Sequence, residues 1–220
     1  MNYLRIVFLG AAISICALPA MSANGSHLQV PSLTPAVAHD SPKQAAFKDA
    51  VRKLWEDHIT WTRLFIVSAI ADLPDKAATT ERLLQNQVDI GNAIKPYYGN
   101  EAGDKLTALL KEHITTAAEL VAAAKASDNA KVEDSTNRWQ KNADEIATFL
   151  SGANPKNWPA AEMKAMMREH LDLTTTEAVS HLKKDWKSDI AAYDKVHVQI
   201  LHMADMLSSG IIGQFPAKFS

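Results

Sequence analysis

The chain has a single cysteine, Cys16, and it lies in an N-terminal segment that is expected to be removed. A mature chain without cysteine uses no disulfide, so a hydrophobic core has to hold it together. Glycine and proline are almost missing from long stretches. There is none from Lys43 to Leu73 or from Ala160 to Ser209, and Gly103 alone interrupts Asn100 to Ser151. Stretches this free of breakers exclude a fold of short strands and tight turns. Basic runs are lacking too. The net charge of -2 argues against nucleic acid as a partner, because phosphate binding needs clustered Lys and Arg. No apolar run after the first segment is long enough to cross a membrane.

Familiar reaction motifs are equally scarce. No His-Glu-x-x-His, no Cys-x-x-Cys-His, no Gly-x-Ser-x-Gly and no pair of Glu-x-x-His motifs occurs. Ordinary zinc proteases, covalent haem, α/β-hydrolases and ferritin-type di-iron centres are therefore not expected.

What is present begins with a targeting signal. Arg5 precedes an apolar run from Ile6 to Ala20, and Ala20-Met21-Ser22-Ala23 offers small residues at its end. That order describes a secretory signal peptide over 1–23, cleaved after Ala23. The protein is expected to be exported, either periplasmic or secreted. Residues 24–42 hold Pro31, Pro35 and Pro42 among Ser, Thr and Ala, which reads as a flexible linker. His27 and His39 lie in it as solvent-exposed tail histidines.

The remainder, 43–220, reads as an all-α domain. Val51, Leu54, Trp55, Phe65 and Ala69 recur at three and four residues, as do Leu106, Leu109, Leu110, Leu120 and Ala124. Each set forms one apolar stripe on a helix. Helices are expected over 43–73, 75–95, 101–126, 129–150, 160–184 and 187–213, with breakers between them.

The helices echo one another. Leu54-Trp55-Glu56-Asp57-His58, Leu109-Leu110-Lys111-Glu112-His113 and Met166-Met167-Arg168-Glu169-His170 each run from two apolar residues through an acid to His. Their partner helices contain Asn86-Gln87-Val88-Asp89, Lys141-Asn142-Ala143-Asp144 and His202-Met203-Ala204-Asp205. A unit of about 55 residues, each an αα-hairpin, is expected three times, over about 43–98, 99–155 and 156–216. One hairpin cannot bury its apolar face, so a compact six-helix bundle follows.

His58, His113 and His170 fall on the apolar stripes. A buried imidazole needs partners, since an unpaired buried polar group costs on the order of 1–3 kcal/mol. Asp89, Asp144 and Asp205 are the partners expected across each hairpin, and Thr62 and Thr174 stand four residues after their histidines. Histidine nitrogen with carboxylate oxygen suits zinc or another first-row divalent ion, and Met163, Met166, Met167, Met203 and Met206 near the third set raise copper. The expectation is a bundle, more a binder than an enzyme, that holds a metal ion or small ligand through these six groups. The alternative is a structural or protein-interaction bundle of the cell envelope in which the His–Asp pairs are internal hydrogen bonds. Glu177 and His181, four apart, read as a surface pair.

The segments Leu54 to Phe65, Lys95-Pro96-Tyr97-Tyr98-Gly99 and Asn142 to Ala147 resemble an uncharacterised family of exported bacterial all-helical proteins, some members of which carry transferase or kinase labels. The resemblance implies export and helicity over nearly the whole mature chain, and it carries no functional residues. A sugar-nucleotide transferase needs an α/β nucleotide-binding scaffold, and this chain has no strand–Gly-loop–helix pattern.

Overall fold

A computed structural model describes residues 40–220. The expected signal peptide and nearly all of the expected linker fall outside the described residues, with His27 and His39. The described part contains six helices: α1 Pro42–Ile70, α2 Lys76–Tyr98, α3 Asn100–Lys125, α4 Asn129–Ala153, α5 Ala160–Leu182 and α6 Trp186–Gln214. A short 3-10 turn at Pro216–Lys218 follows. The end of the expected linker belongs to the first helix. Ser41 caps it in a capping box with Gln44, and Pro42 takes a first-turn position where its missing N–H costs nothing.

The turns inside the three hairpins share one chemistry. Asp72, Ser127 and Lys184 have φ of 53°, 56° and 60°, two residues past the ends of α1, α3 and α5. Leu73, Asp128 and Asp185 each donate a backbone N–H back to Ser68, Ala123 and Ser180, at 2.9, 3.0 and 3.0 Å. This is the Schellman closure, which satisfies carbonyls left open by the last helical turn. Glycine usually fills the left-handed position. Its absence here explains why the first and fifth helices end two to three residues earlier than their sequence suggests. Pro96 does not stop α2 either. It sits in the last turn, and Gly99 (φ 87°) closes the helix after Tyr98.

Each helix packs on its neighbours in sequence, and α6 packs back on α1, so the six close into a ring. Helix α1 also touches α3 and α5, which turns the first helix of each hairpin inward. The main core runs along these inner faces, through Trp55, Ile59, Leu106, Leu110, Ile146 and Ile200. Met163, Met167 and Met203 are buried in it as packing side chains. Among the described residues no helix is long and apolar enough to cross a membrane.

Helices α2 and α3 cross closely at two glycines. A Cβ at Gly103 would stand 2.6 Å from the Gly91 carbonyl oxygen, and one at Gly91 would stand 2.6 Å from the Gly103 carbonyl oxygen. Backbone cannot step aside as a flexible side chain can. Replacing Gly103 by Ala is expected to cost about 1–3 kcal/mol through overpacking, despite the better helix propensity of Ala. The melting temperature should fall by about 2–12 °C. An alanine variant that melts at or above the wild type would contradict the close crossing.

Candidate functional site

The three histidines predicted from the stripes meet in the centre of the bundle. His58 and His113 are 3% exposed and His170 is 5% exposed. The His170 ring centroid lies 5.8 Å from that of His58 and 6.4 Å from that of His113. One inner helix supplies each ring, so the cluster spans all three hairpins.

Their partners are amides, not carboxylates. His58 Nδ1 faces Gln87 Nε2 at 3.3 Å, His113 Nδ1 faces Asn142 Oδ1 at 2.9 Å, and His170 Nδ1 faces Gln199 Oε1 at 3.2 Å. The separation in sequence is 29 residues in all three cases. The same layer of amides also reaches the backbone one turn before each histidine. Asn86, Asn142 and Gln199 donate to the carbonyls of Leu54, Leu109 and Met166 at 3.0, 3.0 and 3.1 Å. In the second and third hairpins one side chain does both tasks. In the first hairpin Asn86 and Gln87 divide them, linked by a 3.1 Å bond from Gln87 Nε2 to Asn86 Oδ1. Gln87 Oε1 is left without a partner.

These bonds assign tautomers. The Trp139 indole N–H donates to His113 Nε2 at 3.2 Å, so the His113 proton sits on Nδ1 and is given to Asn142. His170 likewise gives its Nδ1 proton to the Gln199 oxygen. His58 faces an amide N–H instead, so its Nδ1 accepts and its Nε2 carries the proton. All three are held neutral. Burial, followed by the neighbouring His170, pushes His113 down to about 3. Burial pushes His170 down to about 4, and burial with repulsion from His170 and His113 takes His58 well below the ordinary range.

The expected His–Asp pairs are not formed, which corrects the sequence reading. Asp89 accepts from Gln85 at 3.0 Å and lies beside Arg82. Asp144 accepts from Arg168 at 3.2 Å. Asp205 takes a two-pronged bond from Arg52, at 2.5 Å for each prong. The cause is helical phase. Asp89 and Asp144 stand two residues beyond the amides that do the bonding, and two residues turn a side chain by about 200°. The amide points inward and the acid points to the rim. In the third hairpin the true counterpart is Gln199, a full six residues before Asp205. An amide at a spacing of 29 after each histidine was visible in the sequence and is the signal that would have found these partners.

The two threonines also part company. Thr62 Oγ1 donates to the His58 carbonyl at 2.8 Å, whereas the buried Thr174 hydroxyl has no partner.

A second buried polar group joins α1, α5 and the start of α6. Arg63 grips Asp189 through both guanidinium arms, one of them at 2.7 Å, and donates to Glu177 at 3.0 Å. His181 Nδ1 stands 2.8 Å from Asp189. Glu177 and Asp189 are each only 1% exposed. Burial pushes Glu177 up to about 7 against the pull of Arg63. Burial works on Asp189 in the same sense, but the bonds from Arg63 and His181 hold it below the usual carboxylate range. Glu177 and His181 are thus inward groups with separate partners, not the exposed pair their spacing suggests.

Among the described residues no three His, Cys, Asp or Glu side chains are arranged to hold a metal ion. The histidine layer would have to release Trp139 to offer His113 Nε2 as a ligand, stranding a buried indole N–H. No family model, curated protein or solved structure matches this chain.

Proposed function

We infer that this chain is an exported, non-enzymatic helical bundle of the cell envelope, made of three repeated hairpins, whose histidines are internal supports for a structural or protein-interaction role. The observation that carries the reading is the repeated histidine–amide bond at a spacing of 29 residues. An amide facing Nδ1 and binding the carbonyl one turn earlier fixes how far each hairpin's second helix can slide on its first. The common turn at Asp72, Ser127 and Lys184 supports the threefold repeat independently. Export is supported by the N-terminal signal pattern.

A metal-binding role through His58, His113 and His170 with Asp89, Asp144 and Asp205 is the competing proposal, with zinc or copper as the ion. The purified protein, free of a His tag, separates the two. Its melting temperature is expected to stay unmoved by excess zinc or copper, and His113→Ala to lower it equally with and without metal. Near-stoichiometric metal that disappears in His113→Ala would overturn the structural reading in favour of a ligand set.

A further inference from the structure

One turn beyond the histidines the inner helices separate around a cavity of about 170 Å³. Its lining continues the histidine stripes in steps of four: Thr62 and Ile66 on α1, Ala117 and Val121 on α3, Thr174 and Ala178 on α5. Trp139 and Phe65 add aromatic surface. The exposed Val179 and Thr175 mark a mouth beside α4. No charged side chain is among the lining residues, so an ion entering would lose its hydration without compensation. A volume of this order accepts one six-membered ring, and apolar cavities of about 150 Å³ hold benzene.

Of the threonine hydroxyls in this lining, that of Thr174 is buried and unpaired. Thr174 is 7% exposed, and its hydroxyl has no partner among the described residues. Thr62, at the matching position on α1, returns its hydroxyl to the backbone carbonyl four residues earlier. Thr174 does not: its hydroxyl, with both a donor and an acceptor free, is buried in the wall of this cavity.

We propose that this cavity is a binding site for a small neutral monocyclic molecule carrying one hydroxyl or carbonyl group, which the Thr174 hydroxyl recognises. The ring occupies the space between α1, α3 and α5, and its polar group completes the threonine. The site adjoins the histidine layer through Trp139 but does not rest on the role assigned to that layer.

The test uses phenol, benzene and benzoate with the purified full-length chain, read by calorimetric titration and thermal shift. Phenol is expected to bind saturably at one site and to raise the melting temperature. Benzene should bind about three- to tenfold more weakly, the equivalent of one hydrogen bond. Benzoate, with the same ring and a charge, should not bind. Thr174→Val keeps the shape and should bring phenol down to the affinity of benzene. Ala117→Leu fills the cavity and should abolish both, with Ala178→Leu as the second filling variant should the first fail to fold. Absence of saturable phenol binding, binding that survives a folded filling variant, or a phenol preference unchanged in Thr174→Val would each overturn the proposal.

Discussion

Acidification from pH 7 to pH 4 is expected to destroy the packed core of this protein. In the unfolded chain all three core histidines take up protons as the pH falls through about 6.5. In the folded protein His170 waits until about 4 and His113 until about 3, while His58 is also held well below its ordinary value. The unfolded state therefore binds more protons between these limits, and stability falls with pH. It is complete above about 6.5 and is progressively lost down to the folded values. By pH 4, His170 and His113 together cost on the order of 6 kcal/mol, and His58 adds to the loss. Glu177 acts in the opposite sense. Its folded value of about 7 lies above its unfolded one, so the native state gains a proton first and recovers on the order of 3 kcal/mol between pH 7 and 4.5. The remaining loss, to which His58 adds, is a large part of the whole stability of an ordinary domain, about 5–15 kcal/mol. Near-ultraviolet circular dichroism is the right measurement, because acid states can keep their helices while losing fixed packing. Trp139 and Trp55, both in contact with core histidines, supply the signal. A tertiary signal intact at pH 4 would refute the buried neutral cluster.

Replacing Arg63 by Ala is expected to cost about 3–5 kcal/mol, since it leaves Glu177 and Asp189 buried without the guanidinium that pairs with both. The melting temperature should fall by roughly 6–20 °C at pH 8. The loss should be smaller near pH 6, where Glu177 is protonated, and adding Glu177→Gln should recover part of it. Arg63→Lys should rescue incompletely, because an ammonium cannot grip both oxygens of Asp189 and reach Glu177 in one plane. Chemical denaturation at both pH values checks this. A change within about 1 kcal/mol at pH 8 would mean that water already reaches the two acids.

Helix content, the number of helices and the burial of His58, His113 and His170 were legible in the sequence because all three depend on local apolar spacing. The identity of the histidines' partners was not, although the helices carrying them were. A helix that is correct to within a few residues still leaves the facing side chain undetermined, because each residue rotates the direction by about 100°. The repeat spacing pointed to Asp89, Asp144 and Asp205, whereas Gln87, Asn142 and Gln199 face the rings. A neutral, deeply buried imidazole is better served by an amide, which gives and accepts without bringing a charge into the core. Arg63 was illegible for a different reason. Its partners lie 114 and 126 residues away, and nothing short of the ring closure brings α1 beside α5 and the start of α6. The unpaired Thr174 hydroxyl could not be anticipated from a residue type that normally satisfies itself on its own helix.

The seam between α1 and α6 has a consequence for how the molecule is made. Its ion pair joins Arg52 to Asp205 across 153 residues, whereas the contacts within each hairpin are local. Local pairs form early and cheaply, and a long loop is closed only after its whole length exists. A nascent chain that has not yet emitted its last helix therefore carries a nearly complete assembly with one apolar flank of the first helix open. Transiently exposed apolar surface of that kind favours self-association, and closing the seam between α1 and α6 covers it.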